Sequence, residues 1–261
     1  MAPGKMMRAQ GKPYVEVYAP YTKGFGTNYV DTERDAQRFW DFFYKDNTTH
    51  FFKDRHWIPR EFPEMFEAGD AAVSILEVGC GVGNTVYPVR EVLPQSTVYC
   101  FDFSPTAIRL VKEHAAYDPA RVIAFQHDLT ADAIPDQVPD EGIDFATMIF
   151  VLSAIPEPKH LACLQVMARK MRRGGLLYFR DYAVDDLAQR RFRNASRIDE
   201  NTFRRGDGTR TYFFAQDHMQ RLADDGGFEV VLNEYVKKTV TNVKEKKEME
   251  RLWIQAKLRK K

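Results

Sequence analysis

Ile75-Leu76-Glu77-Val78-Gly79-Cys80-Gly81-Val82-Gly83-Asn84 is an apolar run that ends in three alternating glycines. Val73 to Val78 is short and β-branched, so it reads as a buried parallel strand that feeds a helix through a glycine-rich corner. Such a corner brings backbone close to a ligand. Glycines also cluster in ordinary turns, so the neighbouring residues have to decide. Val98-Tyr99-Cys100-Phe101 reads as a second strand, and it ends in Asp102, about 19 residues past Gly83. In doubly wound folds an acid at that strand tip accepts hydrogen bonds from ribose hydroxyls, and the ligand lies across the carboxyl ends of the strands.

The glycine spacing differs from the dinucleotide fingerprint, which counts against a dehydrogenase. Glu77 beside the loop suits a cationic or zwitterionic ligand better than a pyrophosphate. A nucleoside with a charged amino-acid tail, S-adenosylmethionine, meets both requirements. The Glu-x-Gly-x-Gly-x-Gly loop resembles the first motif of class I methyltransferases, with Asp102 as the ribose acid.

From Val73 onward strand and helix signals alternate, which predicts a parallel sheet with helices on both faces. Ser104 is placed as an N-cap with Pro105 at the first helical position, and Val122 to Phe125 as the third strand. Asp128-Leu129 follows at its tip, either as a simple turn or as an acceptor for an adenine amino group. Asp144 to Ser153 reads as the fourth strand, His160 to Met171 as a helix closed by Arg172-Arg173-Gly174-Gly175, and Leu176 to Phe179 as the fifth strand. Arg205 to Arg210 reads as a turn between short strands. Phe228 to Val236 and Arg251 to Leu258 read as the last two strands, antiparallel across a lysine-rich loop over 237–250.

Before Val73, residues 1–30 carry Pro3, Pro13, Pro20 and several glycines and read as a flexible arm. Residues 31–70 are expected to form an aromatic helical segment. Asp31 is the plausible N-cap, and Trp40 and Tyr44 share one helical face, as a core stripe or a lid. Residues 71–261 are expected to form the methyltransferase domain, with a basic insertion over 182–214.

At 261 residues, 44% of them hydrophobic, the chain suffices for one such domain with an extra segment. No apolar run reaches the ~20 residues of a membrane span, and Met1 to Gln10 lack the apolar stretch of a signal peptide. Cys80, Cys100 and Cys163 are scattered with no Cys-x-x-Cys pair, which argues against a zinc site or disulfides and for a reducing compartment. The expectation is a cytoplasmic enzyme, with no metal.

A formal net charge of +1 conceals segregation. Residues 1–60 carry 10 basic and 7 acidic side chains, 169–210 carry 12 and 6, and 237–261 carry 10 and 3, so the rest of the chain is acidic. Basic runs are often just solvated faces, but three of them sharing one face would make a phosphate-binding footprint.

Several stretches together carry a narrower resemblance: Trp40-Asp41-x-Phe43-Tyr44-x-x-Asn47, Phe51-Phe52-Lys53-Asp54-Arg55-His56-Trp57, the loop Glu77 to Asn84, Cys100-x-Asp102-Phe103-Ser104-Pro105, Asp128-Leu129-Thr130, Ile149 to Ala154, Phe179-Arg180-Asp181-Tyr182 and Asp207 to Phe214. Over roughly residues 35–258 the chain resembles the methyltransferase-like tRNA 3-methylcytidine methyltransferases. Asn233-Glu234-Tyr235-Val236 with Thr239-Val240 resembles their short cytoplasmic serine-tRNA branch.

The resemblance implies a class I, Rossmann-like α/β fold with a mostly parallel seven-stranded sheet whose last strand is antiparallel. It implies methylation of N3 of cytidine 32 in a tRNA anticodon loop, with S-adenosyl-L-methionine consumed and S-adenosyl-L-homocysteine released. Cofactor contacts are expected at Trp40, Tyr44, Glu77, Gly79, Gly81, Gly83, Asp102, Phe103, Asp128, Leu129 and Ile149. RNA contacts are expected at Phe52, Lys53, Arg55, His56, Trp57, Arg180, Tyr182, Arg204, Arg205 and Arg210. Asp181 is expected either to stabilise the charge that develops on the methylated base or simply to pair with Arg180 or Arg55. The resemblance also implies that some members need a partner such as seryl-tRNA synthetase, and it leaves room for a nuclear pool beside the expected cytoplasmic one.

Where that family usually has glycine after the Arg-Asp-Tyr strand end, this chain has Ala183-Val184-Asp185-Asp186. The rival readings are a methyltransferase acting on a small molecule or protein, and a non-catalytic tRNA-binding adaptor.

Overall fold

The structure is a computed structural model that describes residues 33–49, 51–67, 69, 71–131, 133–242 and 247–261. The arm over 1–30 and the Asp31 cap lie outside the described residues.

Helix α1 (Ala36–Asn47) and the single turn α2 (Ile58–Glu61) precede the sheet. Then follow β1 (Ser74–Val78), α3 (Val86–Val92), β2 (Thr97–Asp102), α4 (Pro105–Lys112), β3 (Val122–Gln126) and β4 (Ile143–Ile149). Next come α5 (His160–Lys170), β5 (Met171–Tyr182), α6 (Leu187–Arg191), the short β6 (Thr202–Arg204) and β7 (Arg210–Tyr212), α7 (Gln216–Asp225), β8 (Phe228–Asn242) and β9 (Lys247–Lys260). The seven-stranded sheet has the order β3-β2-β1-β4-β5-β9-β8, and only β9 runs antiparallel to the rest.

Alternate residues of the central strands build two cores, as expected for parallel strands covered on both faces. Leu76, Val78 and Phe101 pack with Leu164, Met167 and Met219 of α5 and α7. Ile75, Val98 and Tyr178 pack with Ile58, Val89 and Val111 of α2, α3 and α4. Ser104 caps α4, its Oγ accepting the Ala107 N–H at 3.2 Å, with Pro105 next.

Three boundaries differ from the expectation. β4 stops at Ile149 rather than at Ser153, and a 3-10 turn over Leu152–Ala154 follows. The helix ends at Lys170, and β5 begins at Met171 with a register irregularity that bulges out Arg172–Gly175. The lysine-rich loop is mostly strand: β8 runs to Asn242 and β9 begins at Lys247, with Thr239 opposite Glu250 and Val240 opposite Met249. The alternating Thr239-Val240-Thr241 pattern suits a two-stranded ribbon, and cross-strand pairing overrides the lysines. Since β9 pairs with β5 only from Arg259 to Trp253, the ribbon continues past the carboxyl edge of the sheet.

Candidate active site

At the end of β1, Gly79 (φ +60°) and Gly81 (φ +53°) occupy the left-handed region, which side chains other than glycine rarely tolerate. A Cβ on Gly79 would lie 2.5 Å from Val151, and one on Gly81 would lie 2.9 Å from the Tyr44 hydroxyl. Asp102 at the tip of β2 locks this corner. Its Oδ2 accepts the Gly81 N–H (2.9 Å), and its Oδ1 accepts the Ser104 N–H (2.9 Å). Burial pushes its carboxyl up to about 6, against the hydrogen bonds from Ser104, Gly81 and Phe103.

A cavity opens at the carboxyl ends of β1, β2 and β3, and seven of the expected cofactor residues line it: Trp40, Tyr44, Gly79, Asp102, Phe103, Asp128 and Leu129. Asp128 Oδ1 accepts both the backbone N–H and the hydroxyl of Thr130 at 2.8 Å, which fixes the turn after β3. The residues fit a nucleoside. Each Asp102 oxygen keeps a further lone pair. His127 Nε2, buried without a hydrogen-bond partner among the described residues, belongs to the same wall. Burial keeps that imidazole neutral by lowering its pKa.

The other four expected cofactor residues lie outside this wall. Glu77 is buried beneath the loop, where burial pushes its carboxyl up to about 8 despite Arg55 Nη1 at 3.6 Å. Gly81 and Gly83 back onto Tyr44 and Tyr87, and Ile149 is buried within the sheet.

A second cavity shares Trp40 with the first. Phe43, Phe51, Phe52, Tyr182 and Phe213 supply its apolar walls, and Arg191, Arg205 and Arg251 line it too. The Arg205 guanidinium lies over the Tyr182 ring at 5.2 Å, and Arg251 lies 6.0 Å from the same ring. Arg251 is held by Asp186, which also accepts the Leu252 N–H (2.7 Å) and caps α6. The Ala183–Asp186 departure therefore supplies a buried acid that orients a cation at the cavity wall.

The expected RNA contacts fall in different surroundings. Arg180 is 1% exposed and pairs with Glu61 at 3.0 Å, its guanidinium stacked at 4.0 Å on the half-buried Trp57, and neither residue lines either cavity. Arg55 lies under the glycine loop and donates to Thr85 Oγ1 (2.7 Å) and to the Ile149 carbonyl (3.4 Å). Arg210 is buried at the wall of the first cavity, while Arg204 is half-buried on β6. Lys53 and His56 are exposed, with His56 Nδ1 3.8 Å from Glu91. Asp181 pairs with neither arginine. Fully buried, it accepts the N–H groups of Ser153 and Tyr182 at 2.9 Å each and lines neither cavity, so it positions the rim.

Phe150 escaped the sequence reading. It holds φ +60° and lines the first cavity, its ring 5.0 Å from that of Tyr182, so it stands between the two cavities. Its one sequence signal is that it falls within the Ile149 to Ala154 stretch that carries the resemblance. Backbone strain of this kind concentrates at functional sites.

A methyltransferase-domain profile matches residues 45–233. The tRNA N(3)-cytidine methyltransferase METTL6 of Rattus norvegicus is 44% identical over 232 residues, covering 87% of this chain and 80% of the rat protein. The chain belongs to the tRNA N(3)-cytidine methyltransferases. The tRNA N(3)-methylcytidine methyltransferase trm141 of Schizosaccharomyces pombe is likewise 44% identical, over 85% of this chain and 92% of its own length. In three dimensions the methyltransferase is similar to an S-adenosylmethionine-dependent methyltransferase from Anabaena variabilis, with a TM-score of 0.64 at 12% identity over 87% of this chain and 95% of that one. That likeness speaks to the fold alone.

Among the described residues no helix is long and apolar enough to cross a membrane, and no cluster of three or more His, Cys, Asp or Glu could hold a metal ion.

Proposed function

We propose that this enzyme methylates N3 of cytidine 32 in the anticodon loop of tRNA, serine tRNAs foremost, using S-adenosylmethionine. The observation that carries this reading is the pair of cavities with Trp40 as their common wall, one fitted for a nucleoside, the other lined with aromatic rings and arginines. When bound, the donor supplies the electrophilic methyl group of its sulfonium. Asp102 would accept from its ribose hydroxyls and Asp128 from its adenine amino group, with Trp40 and Tyr44 as the lid.

N3 of cytosine is a neutral ring nitrogen with an available lone pair, so no residue has to remove a proton before attack. Catalysis is then mainly positioning and electrostatics. N3 lies on the Watson–Crick edge, so the base must leave its stack to present it. Phe52 and Tyr182 are placed to stack a displaced base, a contact worth ~1–3 kcal/mol, and Arg205 and Arg251 are placed to meet the flanking phosphates. The serine-tRNA preference and a seryl-tRNA synthetase partner rest on the resemblance carried by Asn233 to Val236 and Thr239-Val240. The same branch supports a cytoplasmic enzyme with a nuclear pool.

The test is incubation of the purified enzyme with labelled S-adenosylmethionine and serine tRNA, with and without seryl-tRNA synthetase, followed by nucleoside mass spectrometry. Labelled 3-methylcytidine that disappears when cytidine 32 is replaced by uridine is the expected result. Label in another nucleoside or at another position would overturn it.

A further inference from the structure

Asp41 follows Trp40 on α1, lines neither cavity, and reaches the start of α4. Its Oδ1 accepts the Ser104 hydroxyl (2.8 Å) and the Thr106 backbone N–H (3.0 Å), and its Oδ2 meets Lys45 Nζ at 2.6 Å. A carboxylate at that place satisfies an orphan donor of the helix N-terminus and complements its partial positive charge. Burial opposes ionisation, but the bonds from Lys45, Thr106 and Ser104 outweigh it and hold the carboxyl down at about 2. Ser104 in turn donates its own N–H to Asp102, and Asp102 accepts the Gly81 N–H. An unbroken series of hydrogen bonds therefore joins the glycine corner, the acid assigned to the ribose and the helix that carries Trp40 and Tyr44. One turn earlier, Gln37 Nε2 adds a bond to the Phe103 carbonyl at 3.2 Å.

We propose that Asp41 is a positioning residue that latches α1 onto the N-terminus of α4, and thereby sets how tightly the lid holds S-adenosylmethionine. This rests on the donor reading of the first cavity. Release of the Asp41 and Gln37 bonds would free the front of α1, while Phe43 stays packed against Phe51 and Phe52 at ring distances of 4.8 and 5.8 Å. The far end of the helix is then the hinge.

Hydrogen exchange on the ligand-free protein reads the latch, and calorimetry with S-adenosylmethionine reads its consequence. In Asp41→Ala, amides of residues 36–47 exchange about tenfold faster while β1 to β5 keep their protection. The Kd for the donor rises about tenfold, and kcat at saturating donor stays within about threefold of wild type. Asp41→Asn keeps an acceptor for Ser104 and Thr106 and recovers most of both quantities. It also reads them at reduced size should the alanine variant fail to fold. Lys45→Ala, which removes only the exposed partner, behaves as wild type. Unchanged exchange over 36–47 overturns the latch, as does a fall in kcat with an unchanged Kd. Faster exchange in a protein whose wild-type form binds no S-adenosylmethionine leaves the latch standing and removes the donor reading.

Discussion

Asp102 at the end of β2 and Asp181 near the end of β5 lie on the same sheet edge with β1 and β4 between them, and burial pushes both carboxyls up to about 6, yet they face different surroundings. Each carboxylate accepts two backbone N–H groups, Asp102 those of Gly81 and Ser104 and Asp181 those of Ser153 and Tyr182, but only Asp102 lines the first cavity. Because the Asp102 value stands above the ordinary 3.8, the fold favours its protonated form up to about pH 6, and a ligand that needs the carboxylate binds worse as pH falls. S-adenosylmethionine affinity should therefore drop roughly tenfold per pH unit below that point in calorimetric titrations at stepped pH. Affinity that stays flat would take Asp102 out of the donor site. For Asp181→Asn, the amide accepts one N–H and sets its own NH2 against the other. We expect a loss of about 1–3 kcal/mol in thermal unfolding, with donor binding kept and turnover slowed through a displaced Tyr182. Unaltered stability and turnover would end that positioning role. At this scale Asp102 was legible because its position is encoded by spacing from the glycines. The surroundings of Asp181, Arg55 and Arg180 were not legible, because Ser153, Glu77 and Glu61 reach them from other parts of the chain.

The elements that hold the site are a strand end and a helix. The three-glycine corner was read from local sequence alone, and the backbone angles at Gly79 and Gly81 give the reason. Gly79→Ala puts a side chain into a left-handed conformation and 2.5 Å from Val151. The expected cost is about 1–3 kcal/mol in a denaturant melt, with loss of donor binding. A variant that melts and binds as wild type would show that the corner shifts freely. For α1, the four-residue spacing of Trp40 and Tyr44 identified one face but not whether that face was core or lid. Tyr44 is buried like a core residue, yet its hydroxyl sits over Gly81 at the cavity wall. The β8–β9 ribbon was read too short, since lysines suggest a loop where paired β-branched residues sustain a strand.

Across the whole molecule, the insertion, which includes α6, and the start of β9 converge on the second cavity, bringing Arg191 and Arg205 of the one to Arg251 of the other. If that face meets tRNA, Arg205→Glu should weaken tRNA binding and lower the slope of log affinity against log salt by about 1. A filter-binding series over several salt concentrations measures it, and an unchanged slope would remove the insertion from the footprint. The amino-acid sequence by itself determined the alternation of strand and helix, the glycine corner and the acid that follows it, since each is a pattern written over a few tens of residues. Only the tertiary structure decided which arginines line a cavity and which are buried away from one. Arg180 is buried because Glu61, 119 positions away in sequence, folds over it, while Arg251 reaches a cavity because Asp186 holds it there, 65 positions away. A charge is buried or presented according to partners that distant segments supply, and local pattern does not carry that information.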